Sequence, residues 1–560
     1  MINQYIINQL TKKIPAKRRT EYFLKIKRKA SKKFGLPNPK NVEVLEVYRK
    51  MVKNKKIKPD KNIENLLITK NIRTLSGVAV VAVLTKPYRC PGSCVYCPTE
   101  KDMPKSYLSN EPAVMRAILT DFHPYKQVAA RLKSLEATGH KTDKIELIVM
   151  GGTFSYFPKQ YQIWFIKECF RACNEYDAYN VVATGRDLLL LQKLNEKSKH
   201  RIIGLTLETR PDYIDKKEIL RMRKLGATRV ELGVQSIYND VLKLNKRGHT
   251  IAETIKATKF LKEAGFKINY HMMPNLPGSN YKRDLAMFKE LFSNPDFQPD
   301  MLKIYPCVVV KNSPIYKWWK NGKHKPYSDK KLIELLTEIK KAIPYYVRIT
   351  RLIRDIPSTS IVAGNKVSNL RQVLKKKSEE ENWQCKCIRC REVRDKFAKS
   401  KNLKLFRQNY NASDGKEIFL TFEDKERKNL YSLLRLRINS GVHSLECNNL
   451  GVKRTNSTYR LKPELQFSNR FSNNLGVLKN AAIIREIHTY GQMMPIKSNS
   501  KKSPQHIGLG KKLIAEAEKI TFQEFGLKKI TVISGVGVRD YYRKLGYRLE
   551  DGYMVKKIKK

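Results

Sequence analysis

The chain has 560 residues, with 112 Lys or Arg against 52 Asp or Glu, a formal charge of +60. Hydrophobic residues make up 41%, enough for packed cores, which excludes wholesale disorder. No apolar run approaches the ~18 residues of a membrane span, and at ~150 residues per domain the length allows three or four domains.

Residues 1–75 are basic and helix-like, broken at Pro15, Pro37, Pro39 and Pro59. Residues 1–70 hold 20 Lys or Arg against 5 Asp or Glu, so positive charge is concentrated here. Such an excess works against compactness unless a polyanion relieves it, which makes nucleic acid the first partner class. A lysine-rich composition throughout is the plainer alternative. Lys17, Arg18, Arg19, the stretch from Lys25 to Lys29, Lys32 and Lys33 are the candidate phosphate contacts. The N-terminus lacks a charged-then-apolar leader pattern, so a cytoplasmic location is expected.

From residue 76 short β-branched runs alternate with amphipathic stretches. The runs are 78–84, 144–150, 180–184, 201–207, 229–234, 267–272 and 301–305; residues 216–225 and 250–264 have helical spacing. Strand and helix in alternation predict a parallel α/β layer or barrel, whose functional groups gather at the C-terminal strand ends. Cys90, Gly151-Gly152-Thr153, Glu208, Arg210, Gln235 and Ser236 all follow such runs. Residues 371–410 read as a charged connector. Strand-like runs return at 417–422, 430–436, 481–489 and 530–534, with a helix-like stretch at 511–525 and a polar insertion or long loop at 440–475.

Six of the ten cysteines form two tight triplets, Cys90, Cys94, Cys97 and Cys385, Cys387, Cys390, which read as metal ligands rather than a disulfide framework. Three thiolates on one loop can hold three irons of a cubane cluster and leave the fourth iron open to a ligand. Zinc closed by a further ligand such as His123 is the alternative. For the second triplet the spacing fits zinc with a fourth ligand from Cys307, Cys447 or a distant His, or else three reactive thiols.

The Cys-x3-Cys-x2-Cys spacing resembles that of radical S-adenosylmethionine (SAM) enzymes. The surrounding words narrow the likeness: Cys94-Val-Tyr-Cys-Pro98, Glu111-Pro-Ala-Val-Met-Arg-Ala117, Met150-Gly-Gly-Thr-Phe154, Glu208-Thr-Arg-Pro-Asp212, Glu231-Leu-Gly-Val-Gln-Ser236, Arg247-Gly-His-Thr250 and His271-Met-Met-Pro274. They resemble the catalytic subunit of Elongator, which modifies the wobble uridine of tRNA, from about residue 17 to the C-terminus. The resemblance implies an α/β fold: a partial parallel (β/α) radical SAM barrel over 76–370, a zinc-binding linker over 371–410 and a C-terminal GNAT acetyltransferase domain over 411–560, behind the basic tRNA-binding arm of residues 1–75. It implies a 4Fe–4S cluster on Cys90, Cys94 and Cys97. In the family this cluster cleaves SAM to a radical that takes hydrogen from the acetyl-CoA methyl group. The acetyl carbon then adds to uridine C5, and hydrolysis leaves carboxymethyluridine.

Further candidate residues come partly from the same resemblance and partly from their place on the strands. Lys144 matches a position that contacts acetyl-CoA. Lys267, Lys303 and Tyr305 lie on barrel strands and are candidate catalytic groups, because strand lysines rarely bury without an anionic ligand or a lined cavity. Glu208 and Gln235 either bind SAM or stabilise the mouth. The order of motifs after 480 resembles the GNAT acetyl-CoA loop: Arg485, Glu486, Ile487 and His488, then Gln505, Gly508, Leu509 and Gly510, would contact the cofactor, with Tyr541 and Tyr542 beside its thioester. The Cys385 triplet resembles the zinc-binding linker of prokaryotic members. The expected partner is the anticodon stem-loop of tRNA, with no membrane; accessory subunits are not evident, and a homodimer is left open. A protein lysine acetyltransferase with a merely structural iron–sulfur cluster is the alternative function. It calls for an acidic peptide groove, against the charge of this chain. A scaffold with degenerate sites is disfavoured by the intact cysteines and glycine loop.

Overall fold

The computed structural model describes all residues except 13, 16–17, 71–73, 75, 177–186, 394–401, 441–474, 492–507 and 560. The expected strand at 180–184, the insertion at 440–475 apart from its ends, Lys17, Cys447 and Gln505 therefore lie outside the described residues.

Helices Ile2–Lys12, Arg19–Phe34, Asn41–Lys53 and Lys61–Leu67 form an N-terminal bundle. Ile6 and Leu10, Phe23, Ile26 and Ala30, and Val44, Tyr48 and Met51 recur at three- and four-residue spacing, so each helix turns one apolar stripe inward. The bundle is tied onward by Arg49 Nη1, which donates to the carbonyl of Glu136 at 2.8 Å.

Seven strands then form one parallel sheet: β1 Ala79–Leu84, β2 Lys144–Met150, β3 Arg201–Thr209, β4 Arg229–Gln235, β5 Lys267–Met272, β6 Met301–Ile304 and, after a short ribbon strand β7 Val309–Val310, β8 Arg348–Arg351. Each pairs with the next in that order, and β1 and β8 are the open edges. β7 pairs with β9 Ile361–Ala363 in a separate ribbon. Six of the seven β4 residues are buried, as expected of a central parallel strand covered on both faces.

A second seven-stranded sheet follows. Its strands are β10 Lys404–Ala412, β11 Gly415–Glu423, β12 Leu430–Ile438, β13 Ala482–Thr489, β14 Lys529–Val532, β15 Arg548–Glu550 and β16 Tyr553–Lys557, in the order β10-β11-β12-β13-β14-β16-β15. Only β13 and β14 pair in parallel. One face packs on helix Leu509–Gln523 through Leu513, Ile514, Ala517 and Ile520; the other joins the barrel core through Phe419, Leu433 and Ile483. β10 begins within the stretch read as a connector. Its polar edge-strand sequence carries little apolar alternation, and it pairs with β11 from Lys404 to Ala412. No described helix is long and apolar enough to cross a membrane.

β13 carries a bulge that sets the relation between the two sheets. Arg435 pairs with Glu486 and Leu436 with Ile484, so Arg485 is an extra residue. Arg485 and Glu486 thereby both face the barrel, while Ile487 faces the helix side. Arg485 reaches Asp300 at 2.6 Å and Glu417 at 2.9 Å, and Arg435 reaches Glu486 at 2.8 Å. Lys262 and Arg437 complete this buried network, and Asp300 also accepts the Ile268 amide. Burial opposes ionisation of Glu486, yet the cations of Lys267 and Arg435 hold it down at about 2. Asp300 is likewise held below the usual carboxylate range: burial pushes up, and Arg485, Lys262 and Arg435 outweigh it.

Two outcomes follow for stability. Asp300→Ala leaves Arg485 buried beside a single carboxylate and lowers the melting temperature by the equivalent of about 3–5 kcal/mol, whereas Glu46→Ala, which removes the exposed pair to Lys50, changes it by less than ~1 kcal/mol. Glu486 has a depressed folded pKa, so its contribution is full above the unfolded value of ~4.3 and is lost as the pH falls toward 2. Acid melting of Glu486→Gln should therefore be shallower than that of the parent chain.

Candidate functional site

The first cysteine triplet lies in the loop after β1. Arg247 Nη1 donates to Cys94 Sγ at 3.6 Å, and its guanidinium also reaches the Gly233 carbonyl at the end of β4. Cys97 N–H donates to the Cys94 carbonyl at 3.1 Å, closing a turn. Cys94 is buried, and Cys90 and Cys97 are half-buried. Burial pushes the free Cys97 thiol up to about 11, so a bound cation is needed to hold it as thiolate. These three thiols do not close to single-ion spacing, unlike the second triplet. That fits a cluster in which each thiolate binds its own iron. A Cβ on Gly92 would meet the end of the Arg210 guanidinium, and Gly151, at φ +127°, packs on the Thr85 side chain. His123 packs edge-on against Trp164 at 5.5 Å and is not gathered with the cysteines.

A cavity of 440 Å³ opens beside this loop, lined among others by Tyr107, Glu208, Gln235, His271, Lys303 and Tyr305. Lys303, on β6, is ion-paired with Glu231 on β4. His271 Nε2 lies 3.0 Å from Glu231 and its Nδ1 3.6 Å from Glu208. Tyr107 OH donates to Glu208 at 3.0 Å. Burial opposes charge on Glu231, but Lys303 and His271 hold it well below the usual range; burial would lower Lys303, and Glu231 raises it instead. His271 is lowered by burial and by Lys303, so its ring is neutral and donates to one of the two carboxylates. Gln235 takes φ +71°, and its buried Oε1 has no hydrogen-bond partner among the described residues. An acceptor left open in a cavity wall is a site for a donor on a ligand.

Lys144 and Lys267 are the first residues of β2 and β5, so they stand at the opposite end of the barrel from the cysteine loop. Lys267 Nζ lies 3.4 Å from Glu486 of the second sheet. Around it are the Arg229–Glu146 pair, Arg348 bound to Glu392 at 2.7 Å, and His488 bound to the Ser76 carbonyl at 2.8 Å. Lys267 is thus away from the mouth, whereas Lys303 and Tyr305 are in it.

A second site lies on the far face of β13. β13 pairs with β14 only from Ala482 to Ile484 and then separates from it. Gly508, at φ +77°, leads into helix Leu509–Gln523. A Cβ on Gly510 would stand 3.2 Å from the Tyr541 hydroxyl, 3.6 Å from Ile487 and 3.7 Å from Thr489. The helix N-terminus, the open edge of β13 and Tyr541 therefore meet. Burial pushes the Tyr541 phenol up to about 12, which keeps it a donor. Tyr542 is core, packed on Tyr547. The side chains of Arg485, Glu486 and His488 do not reach this site; they are engaged across the barrel face, and only Ile487 of that group faces Gly510. The bulge, invisible in the sequence pattern, turns Glu486 and His488 to the side that Arg485 already faces.

The Sγ atoms of Cys385, Cys387 and Cys390 lie within 4.8 Å of one another, close enough to hold one metal ion. Lys340 Nζ donates to Cys390 Sγ at 3.5 Å. Cys307 is not part of it, being packed with Val241, Leu276 and Ile315, and the described residues add no fourth Cys, His, Asp or Glu.

Glu231, His271 and Tyr107, and Arg351 and Arg354, which also line the cavity, were not singled out from the sequence as site residues. The signal was present on the strands: Arg229, Glu231 and Gln235, Lys267, Asn269 and His271, and Lys303 with Tyr305 place polar groups at alternate positions of apolar runs. Glu231→Leu leaves Lys303 buried without its anion and should destabilise by about 3–5 kcal/mol, while Glu231→Leu with Lys303→Met should recover most of that loss in thermal melting.

Residues 85–291 match the Radical SAM superfamily and residues 299–380 the Radical_SAM C-terminal domain. The tRNA uridine(34) acetyltransferase of Methanocaldococcus infernus is 44% identical, covering 94% of this chain and 93% of that protein. Elongator complex protein 3 of Homo sapiens is 38% identical, covering 96% and 93%. The solved structure of archaeal Methanocaldococcus infernus Elp3 with an N-terminal deletion (1–46) superposes with a TM-score of 0.69 at 42% identity, over 86% of this chain and 100% of that one. Coverage from end to end at this identity, with the cysteine loop and the glycine-led helix both in place, makes the chain a member of the radical SAM family of tRNA uridine(34) acetyltransferases and Elongator complex protein 3.

Proposed function

We propose that this chain is a tRNA wobble-uridine acetyltransferase that makes carboxymethyluridine from acetyl-CoA and SAM in the cytoplasm. The observation that carries the reading is the pairing of two sites, one on each of two packed sheets. A cysteine loop opens on a charged cavity at the C-terminal strand ends, and a glycine-led helix meets a protonated tyrosine on the sheet that packs against the barrel.

Cys90, Cys94 and Cys97 would hold a 4Fe–4S cluster, which with SAM supplies radical chemistry for a C5 position that acid–base groups cannot activate. The chain's own groups bind and orient. Gln235 Oε1 accepts from the nucleoside or amino group of SAM, and Glu208, fixed by Tyr107, does the same from the neighbouring strand β3. Lys303 keeps its proton through Glu231 and donates, with Tyr305 beside it, to a uracil carbonyl oxygen. The N–H groups at the helix start, Gly508–Gly510, receive the CoA pyrophosphate. Tyr541 OH gives its proton to the CoA thiolate as it leaves. Lys144, at the opposite strand ends, supplies positive charge toward acetyl-CoA, while Lys267 is held by Glu486. Cys385, Cys387 and Cys390 hold zinc and fix the segment between the sheets. The tRNA anticodon stem-loop lies across the basic N-terminal helices, and its wobble base enters the mouth unstacked.

Anaerobically reconstituted protein, given unmodified tRNA, acetyl-CoA and SAM, should yield carboxymethyluridine by mass spectrometry of digested nucleosides. Cys94→Ala should abolish it; absence of product from the parent chain with its cluster present sinks the reading. Tyr541→Phe should slow product formation by about 100-fold or more with KM for acetyl-CoA little changed. Metal analysis should find zinc in the parent chain and lose it in Cys387→Ser while the iron–sulfur absorbance remains.

A further inference from the structure

A continuous line of aromatic rings leads away from the cysteine loop. It begins at Tyr213, close to Cys90 and Arg210. Tyr156 stands edge-on to Tyr213 at 5.7 Å and 6.0 Å from Tyr88, which lies two residues before Cys90. Phe157 is stacked on Tyr88 at 4.6 Å and on Tyr161 at 4.8 Å. Trp164 follows at 5.5 Å from Tyr161.

The inner rings have a packing role. Phe157 is buried, and Tyr161 OH accepts the Lys86 amide at 3.0 Å, tying a helix to the loop. The outer rings do not need one. Tyr88, Tyr156 and Trp164 are 39%, 36% and 40% exposed, large rings held in line at the surface. A lone exposed ring needs no explanation, but a contiguous row does. Cations flank the row: Lys86, Arg89 and Lys159 are exposed, and Lys86 Nζ sits over the Tyr161 ring at 5.1 Å. The nearby carboxylates are engaged, Asp212 by Arg210, Glu168 by Arg171 and Asp121 by Lys126.

We propose that this row is a stacking platform for the unpaired bases of a single-stranded RNA loop that flank the nucleotide in the cavity. The inference rests on the proposed function for its RNA. Exposed ring faces with interleaved cations fit bases and phosphates together. Duplex RNA keeps its bases stacked inside and has none to offer, so the row selects loops over stems. Its start at the Cys90 loop puts it beside the target base, where the neighbouring loop nucleotides must lie.

The test uses full-length, cluster-loaded protein and two fluorescent RNAs: a stem-loop with an unpaired uridine and a blunt duplex of the same length. Binding is read by anisotropy. Tyr156→Leu with Trp164→Leu removes two exposed ring faces but keeps apolar volume. Stem-loop affinity should fall by about tenfold or more, duplex affinity should stay, and the slope against salt should not change. Tyr156→Phe should bind like the parent chain. Cluster absorbance and melting temperature report folding; should the double variant lose either, Trp164→Leu alone, at the outer end of the row, reads the same preference. Unchanged stem-loop affinity, or an equal loss for both RNAs, overturns the platform and leaves the uridine chemistry standing. A parent chain that prefers the stem-loop through these rings but forms no carboxymethyluridine leaves the platform and overturns the chemistry.

Discussion

Asp300 and Arg485 meet at the seam between the two sheets, and much of the molecule is arranged around that pair. Asp300 follows the loop into β6 and accepts the Ile268 amide as well as the Arg485 guanidinium; Glu417 of β11 takes the other side of the same guanidinium. Charges with no solvent access tolerate little displacement, because each has lost its water and depends on partners in fixed places. Apolar faces alone would let two sheets slide over each other. The salt-bridged seam gives one register, and through it the end of β13 is held against the barrel floor.

Each sheet contributes a different kind of site to that assembly. The barrel encloses its charges: Glu231, Lys303 and His271 lie inside a wall of strands, and their protonation states are set by one another rather than by bulk water. The second sheet makes its site by a failure of pairing. β14 leaves β13 after Ile484, and the gap admits a helix N-terminus and a tyrosine. Between the two, at the strand starts, Arg229, Glu146, Lys267 and Glu486 form a polar floor that belongs to both.

The parallel sheet was legible in the sequence because its strands are short apolar runs of β-branched residues with helices at regular spacing between them; β2 and β5 begin and end where the pattern places them. β8 and β10 were not legible, since Arg348–Arg351 and Lys404–Ala412 are polar, and their strand state comes from neighbours that supply hydrogen bonds. Motif words gave the cysteine loop and the glycine-led helix. They did not give side-chain direction. Lys267 and Lys303 look alike in the sequence, but one begins its strand and the other stands near the end of its own, which separates them by the depth of the barrel. Glu486 and His488 follow from the same limit: a strand bulge is a property of pairing, and no local residue pattern announces it.

The bulge also makes β13 a strand whose two surfaces are set by a count. Upstream of Arg485 the alternation runs in one phase, and downstream in the other. A regular ladder through the same residues, with no bulge, would turn the distal half over: His488 would look toward the glycine-led helix, and Ile487 would enter the polar floor. The chemistry of both faces is therefore written in the parity of a single strand, and the extra residue is what lets two consecutive ionic side chains, Arg485 and Glu486, share the barrel face while Ile487 keeps the other.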